Sequence, residues 1–213
     1  NRAYSELQET EVTVTKLVVL EESAKALGEH FVVMEELHGT VARHFDKEAY
    51  TPNQADLGKK FWKILGKIAS HDLTKSKLNE NSAKKNLKDC WRQELEYWVS
   101  VIRKDSLGIE PILEAAIREL FRSKPLPASR LSIVHGDYRN GNFLFAGKDI
   151  TGILDWEMAH IGDPIEDLGW ALSEIWCWEQ KETPAYLVPR KEALEIWTQE
   201  RKIEKDEKSL LWW

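Results

Sequence analysis

The chain has 213 residues, of which 42% are hydrophobic and 31% charged, with a formal net charge of −6. That length suits one large domain or two small ones with a sizeable core. No Lys/Arg block dominates a segment and no apolar run approaches the roughly 20 residues that span a bilayer, which argues against nucleic acid and membrane as partners.

The cysteines are Cys90 and Cys177, without CxxC spacing. Neither a thiolate zinc site nor a disulfide framework is expected, and a reducing, cytoplasmic setting is. The 10 tryptophans are many for this length and are expected to fill cores or line a cleft wall.

In chain order, residues 1 to 9 have a helical pattern. "VTVTKLVVL" (12 to 20) alternates and is rich in Val, which predicts a strand or an extended connection. "HFVVMEEL" (30 to 37) predicts a better strand, broken by Gly39. Thr51-Pro52-Asn53 offers helix-start chemistry, and Leu57, Phe61, Ile64, Leu65 and Ile68 then recur at helical spacing. The polar linker "TKSKLNENSAKKN" leads to a second helix carrying Leu87, Trp91, Leu95, Trp98 and Ile102 on one face. A third, near 110 to 122, carries Leu113, Ala116, Ile117, Leu120 and Phe121 and is ended by Pro125 and Pro127. Then "LSIV", "FLF" and "ITGILDW" form a small β island, the last two joined by the hairpin turn "AGKD". Helical periodicity returns after Pro164.

The polar residues cluster on this island. Asp137 lies just beyond "LSIV", Asn142 just before "FLF", and Asp155 closes the next strand. Tight loops between strand ends can gather three such side chains at one edge. Two carboxylates and an amide oxygen are hard donors, a set that suits Mg²⁺ rather than zinc.

"VHGDYRNGNFLF" followed by "GILDWEMAHIGDPIEDLGWAL" resembles the aminoglycoside phosphotransferase and choline kinase-like family of small-molecule kinases, closest to its branch associated with acyl-CoA dehydrogenases. The resemblance implies an α+β, protein kinase-like fold: residues 1–37 as a remnant of the N-lobe and hinge, and 38–213 as the helical C-lobe. It implies an ATP- and Mg-dependent phosphotransferase acting on a small-molecule hydroxyl. Asp137 would orient and deprotonate the acceptor, Asn142 and Asp155 would hold Mg²⁺, and Met34, Glu35 and Leu37 at the hinge would take adenine. Phosphoryl transfer, being mostly positioning and charge stabilisation, needs such parts. Arg139, where protein kinases carry a Lys, is assigned to steady the transferring phosphate.

Other residues have structural readings beside catalytic ones. His135 is expected to hold the loop through hydrogen bonds, Asp163 to cap the helix begun by Pro164, and Asp167 to brace loop amides. His160 is expected to be a satisfied surface or core residue, and Glu157 is open between substrate, metal and neither. No Gly-rich loop or strand Lys precedes the hinge, and Ala3 stands where the family often has a Glu, with Glu6 a turn later as a substitute. These departures, with the apolar ending Trp212-Trp213, lead us to expect a fragment with weakened ATP use. Two alternatives remain. One is a non-catalytic, pseudokinase-like binding module. The other is a metal-dependent phosphohydrolase built on His71, Asp72, His135 and Asp137.

Overall fold

The computed structural model describes residues 2–43, 46, 48–76, 86–105, 108, 110–201 and 206–213. Helix α1 (Arg2–Leu7) precedes an antiparallel hairpin of β1 (Leu17–Glu21) and β2 (Phe31–Met34), with Leu17 opposite Met34 and Glu21 opposite Phe31. The strand begins later than the alternation over 12 to 20 predicts. Thr13 is engaged elsewhere, its carbonyl accepting the Ile153 N–H at 2.9 Å. The first part of that run is therefore the extended connection.

After the hinge comes a strand that periodicity did not reveal, β3 (Thr40–Val41). It pairs with β5 (Phe143–Ala146), which pairs in turn with β6 (Asp149–Ile153) across the expected 146–149 turn. A second hidden strand, β7 (His160–Gly162), pairs with β4 (Ser132–Val134). The island is thus two small sheets rather than one. Two and three residues are too few for an alternation to show.

Helix α2 (Gln54–Ser70) buries the face marked by its periodicity: Leu57, Phe61, Leu65 and Ile68 are at most 1% exposed. Each such side chain contributes about 1.5–3 kcal/mol on burial. This face packs on β4, β6 and α6 (Arg190–Arg201). The Tyr138 hydroxyl donates to the Phe61 carbonyl at 2.6 Å, tying the helix to the loop after β4.

Helices α3 (Cys90–Asp105) and α4 (Pro111–Ser123) depart from the sealed faces that their periodicity predicts. Trp91 and Ile117 are buried, but Leu87 and Trp98 are 43% and 37% exposed. Leu87 lies before α3 begins, and Trp98 borders a cavity of about 350 Å³, whose walls also include Leu95 of α3 and Leu120 of α4. Helices α5 (Pro164–Ala171) and α7 (Glu207–Trp212) close its other side through Trp170, Trp212 and Trp213. The terminal tryptophans are half-buried, and the Trp212 Nε1–H donates to the Leu120 carbonyl at 3.0 Å. No helix among the described residues is long and apolar enough to cross a membrane.

Candidate active site

The loop between β4 and β5 carries the HGD triplet, and three groups fix it from below. Gly136 adopts φ +86°, and a Cβ there would lie 2.8 Å from the Met158 carbonyl oxygen, so only glycine fits. Asp167, buried on the first turn of α5, accepts the His135 N–H at 2.6 Å and the Gly136 N–H at 2.9 Å. Burial pushes its carboxyl up to about 7, against the pull of those two amides. This is the bracing role expected of it. Asp163 caps α5 as predicted, accepting the Ile165 N–H at 3.0 Å.

His135 is fully buried and its ring bridges two loops. Nδ1 accepts the Asp137 N–H at 3.2 Å, while Nε2 lies 2.8 Å from the Leu154 carbonyl. A carbonyl only accepts, so the proton sits on Nε2 and the ring is neutral. Burial, the largest influence, holds its pKa down at about 4. The histidine thus fastens the Asp137 loop to the segment that carries Asp155, the structural role expected of it.

Donors converge on the Asp137 carboxylate. Arg139 Nε stands 3.0 Å from both oxygens, Asn142 Nδ2 donates to Oδ2 at 2.6 Å, and Trp170 Nε1 donates to Oδ1 at 2.8 Å. Asn142 Nδ2 also donates to the Asp137 carbonyl at 2.9 Å, which turns its Oδ1 away from the loop as a cation ligand would require. Arg139 lies over the Trp176 ring, 4.8 Å from guanidinium carbon to centroid.

Asp155 follows β6 in a left-handed conformation, φ 64° and ψ 58°, with an exposed side chain. Phe143 pairs with Ile153 and the Leu154 N–H donates to the Asn142 carbonyl at 2.8 Å, so Asn142 and Asp155 leave the same end of one hairpin. Their donors are an amide oxygen and an exposed carboxylate, hard oxygens that fit Mg²⁺. The hinge lies over the same hairpin: Leu37 packs on Gly152. The Glu35 N–H donates to the Lys16 carbonyl at 2.9 Å, and its own carbonyl accepts the Thr15 hydroxyl at 2.5 Å.

Glu6 is engaged by His71, whose Nε2 is 3.1 Å from its Oε1. Asp72 accepts the Thr74 N–H at 2.9 Å. His135, by contrast, bonds the Leu154 carbonyl and the Asp137 N–H.

Sequence reasoning missed Trp170 and Trp176 at the site. Trp170 had a signal, because it lies three residues after Asp167 on one helix face. Missed too was the composition of a second cavity of about 380 Å³ beside Gly136, lined by Glu94, Trp98, Glu157, Met158, His160 and Glu166 among others. Glu157 faces this space rather than a loop. Trp98 lines it, whereas Trp91 is core.

With this geometry in place, comparisons with known proteins fall in one direction. The model of the phosphotransferase enzyme family matches residues 1–203. Acyl-CoA dehydrogenase family member 11 of Rattus norvegicus is 26% identical over 159 residues, 73% of this chain and 20% of that protein. Viomycin phosphotransferase of Streptomyces vinaceus is 41% identical over 59 residues, 26% of this chain and 21% of that enzyme. The matched stretches thus span about a fifth of the length of each of these relatives. Among solved structures, one from Ralstonia eutropha assigned as an aminoglycoside phosphotransferase superposes with a TM-score of 0.81. It is 20% identical, with 99% of this chain and 68% of the other covered. The ternary complex of APH(2'')-IIa with streptomycin and ATP gives a TM-score of 0.59 at 18% identity, covering 95% and 64%. The fold is therefore that of the protein kinase-like phosphotransferases, mixed helix and sheet with helices predominating.

Proposed function

Because the chain belongs to the phosphotransferase enzyme family, we propose that it carries the machinery for moving the γ-phosphate of ATP to a hydroxyl of a small molecule, with Mg²⁺. The observation that carries this reading is the Asp137 carboxylate, held by Arg139, Asn142 and Trp170 and one residue along from Gly136, which lines an open cavity. Asp137 accepts the proton of the acceptor hydroxyl as its oxygen bonds to the γ-phosphorus and the bond to the ADP oxygen breaks. Arg139 exchanges part of its contact with Asp137 for the phosphate oxygens. Asn142 Oδ1 and the Asp155 carboxylate would hold Mg²⁺, which when bound neutralises charge on the phosphates. Met34, Glu35 and Leu37 receive adenine; the Glu35 carbonyl keeps a lone pair beyond the one facing Thr15.

The test separates binding from transfer. Nucleotide binding to the chain is titrated with and without Mg²⁺, and transfer from labelled ATP is followed across a panel of hydroxylated acceptors. Asn142→Ala and Asp155→Asn should abolish the Mg²⁺ dependence of binding, whereas Asp137→Asn should keep binding and lose transfer. A Mg²⁺ dependence of binding that survives both Asn142→Ala and Asp155→Asn would sink the assignment. Binding without transfer in the unaltered chain would favour the non-catalytic module.

A further inference from the structure

Beyond α5 the chain makes a single 3-10 turn, Glu174–Trp176, against the loop that carries Asp137. Groups other than its aromatic ring anchor this turn. Asn140, fully buried in the loop, donates from Nδ2 to the Trp176 carbonyl at 3.1 Å. The Cys177 N–H donates to the Glu174 carbonyl at 3.1 Å, and the Cys177 side chain is fully buried. The turn therefore keeps its place without the Trp176 indole, which makes a contact of a different kind.

That indole lies against Arg139. The guanidinium carbon stands 4.8 Å from the ring centroid, within the range of about 6 Å for a cation–π contact. In its own plane the guanidinium makes hydrogen bonds: Nε stands 3.0 Å from both Asp137 oxygens, and Nη1 donates to the Asn140 carbonyl at 3.1 Å. A second indole closes the corner. The Trp170 ring meets Trp176 edge to face, with 5.1 Å between centroids and 71° between planes. Its Nε1–H donates to Asp137 Oδ1 at 2.8 Å. The Asp137–Arg139 ion pair thus stands in the angle of two tryptophans, one touching each partner.

The side chains of Arg139 and Asp137 are 20% and 15% exposed, so the contact is largely desolvated, the condition in which cation–π attraction is strongest. Hydrogen bonds in the guanidinium plane are directional and are lost when a partner moves away. Attraction to a ring face changes little as the guanidinium turns within its own plane. On that face Arg139 can pass from the Asp137 carboxylate to a phosphate oxygen without leaving the ring. Without it, the arginine would regain much of the rotamer freedom of a long side chain.

We infer that Trp176 is a positioning residue: its ring holds the Arg139 guanidinium level with the Asp137 carboxylate, so that the arginine meets the transferring phosphate beside the proton acceptor. The inference rests on the phosphotransfer reading of Asp137 and Arg139, but the first of its two measurements does not need that reading.

That measurement is the Arg139 Nε–H resonance in proton–nitrogen correlation spectra of the whole chain, assigned by its loss in Arg139→Lys. A proton held over an indole face is shielded. Trp176→Leu should move the resonance downfield, and Trp176→Phe, which keeps a smaller ring, should move it less. The second measurement is transfer from labelled ATP. Trp176→Leu should lower kcat about 5- to 30-fold with the KM for ATP within about 2-fold of the parent, and Trp176→Phe should stay within about 3-fold in kcat. In an Arg139→Ala background, Trp176→Leu should cost less than about 2-fold more, whereas a ring that only packs would cost the same with or without the arginine. An unmoved resonance in Trp176→Leu, or a kcat loss that persists undiminished in the Arg139→Ala chain, overturns the proposal. Where circular dichroism shows the Leu chain unfolded, an unmoved resonance in Trp176→Phe overturns it equally. A parent chain that transfers no phosphate fails the phosphotransfer reading, while the resonance still decides whether Trp176 positions Arg139.

Discussion

Acidification should act on the loop that carries Asp137 through two neighbours of opposite sign. His135 is held at about 4, below the ordinary 6.5. The stability gained from keeping it neutral is present above 6.5 and lost as the pH falls towards 4. Integrated between about pH 7.5 and about pH 5, that loss is about 2 kcal/mol. Asp167 is raised to about 7 from 3.8. Its contribution is fully present below 3.8 and lost as the pH rises through 7, so over the same descent it returns about 2–3 kcal/mol. The two nearly cancel, and the unaltered chain should show little pH dependence from this loop. Single substitutions unmask each half. His135→Gln should gain stability relative to the parent as the pH falls, by about 2 kcal/mol, or about 4–8 °C in melting temperature at this size. Asp167→Asn should move the other way. The assay is thermal or urea unfolding of the three proteins across that range. Parallel profiles for His135→Gln and the parent would refute the claim that the ring is buried neutral between Asp137 and Leu154.

Asp137→Asn removes the proton acceptor and should cut transfer about 10²–10⁴-fold while leaving nucleotide affinity within about 2-fold, as measured by labelled-ATP transfer beside calorimetry. Trp170→Phe leaves a smaller aromatic ring and deletes one N–H on a carboxylate; hydrogen bonds to charged groups contribute about 1.5–3 kcal/mol, so the melting temperature should fall by about 3–12 °C, with turnover lowered as well. Gly136→Ala forces a Cβ against the Met158 carbonyl at a positive φ and should destabilise the fold by more than about 1 kcal/mol, visible in the urea midpoint. An Ala variant as stable as the parent would mean the loop has another backbone path.

Parts of this fold were legible because local chemistry and tertiary structure agree. The Leu57-to-Ile68 periodicity survives because α2 buries that face against several elements at once. The 146–149 turn survives because a short connection between two apolar runs leaves few alternatives. β3 and β7 were hidden because strands of two and three residues owe their existence to partners far along the chain. The apolar stripes of α3 and α4 were seen correctly but given the wrong neighbours. A stripe shows that a face is covered or lines a cavity, and periodicity alone does not separate the two.

The same limit governs the site. Asp137, Asn142 and Asp155 could be picked out because they flank strand ends, where the backbone itself decides where side chains leave the sheet. Trp176 came from beyond α5, and Glu94 from the linker-bounded helix α3, so neither is adjacent to the loop until the chain has folded. His160 shows the consequence most sharply. Read locally, a single histidine beside a strand end has no special claim, and its neighbour Glu166 is one acid among many in a chain with 36 of them. What singles the pair out is a carbonyl two residues earlier that fixes the ring, and a carboxylate delivered from another helix at 3.3 Å. Where that ring points is decided by a backbone hydrogen bond, and no pattern of residue types encodes that directly.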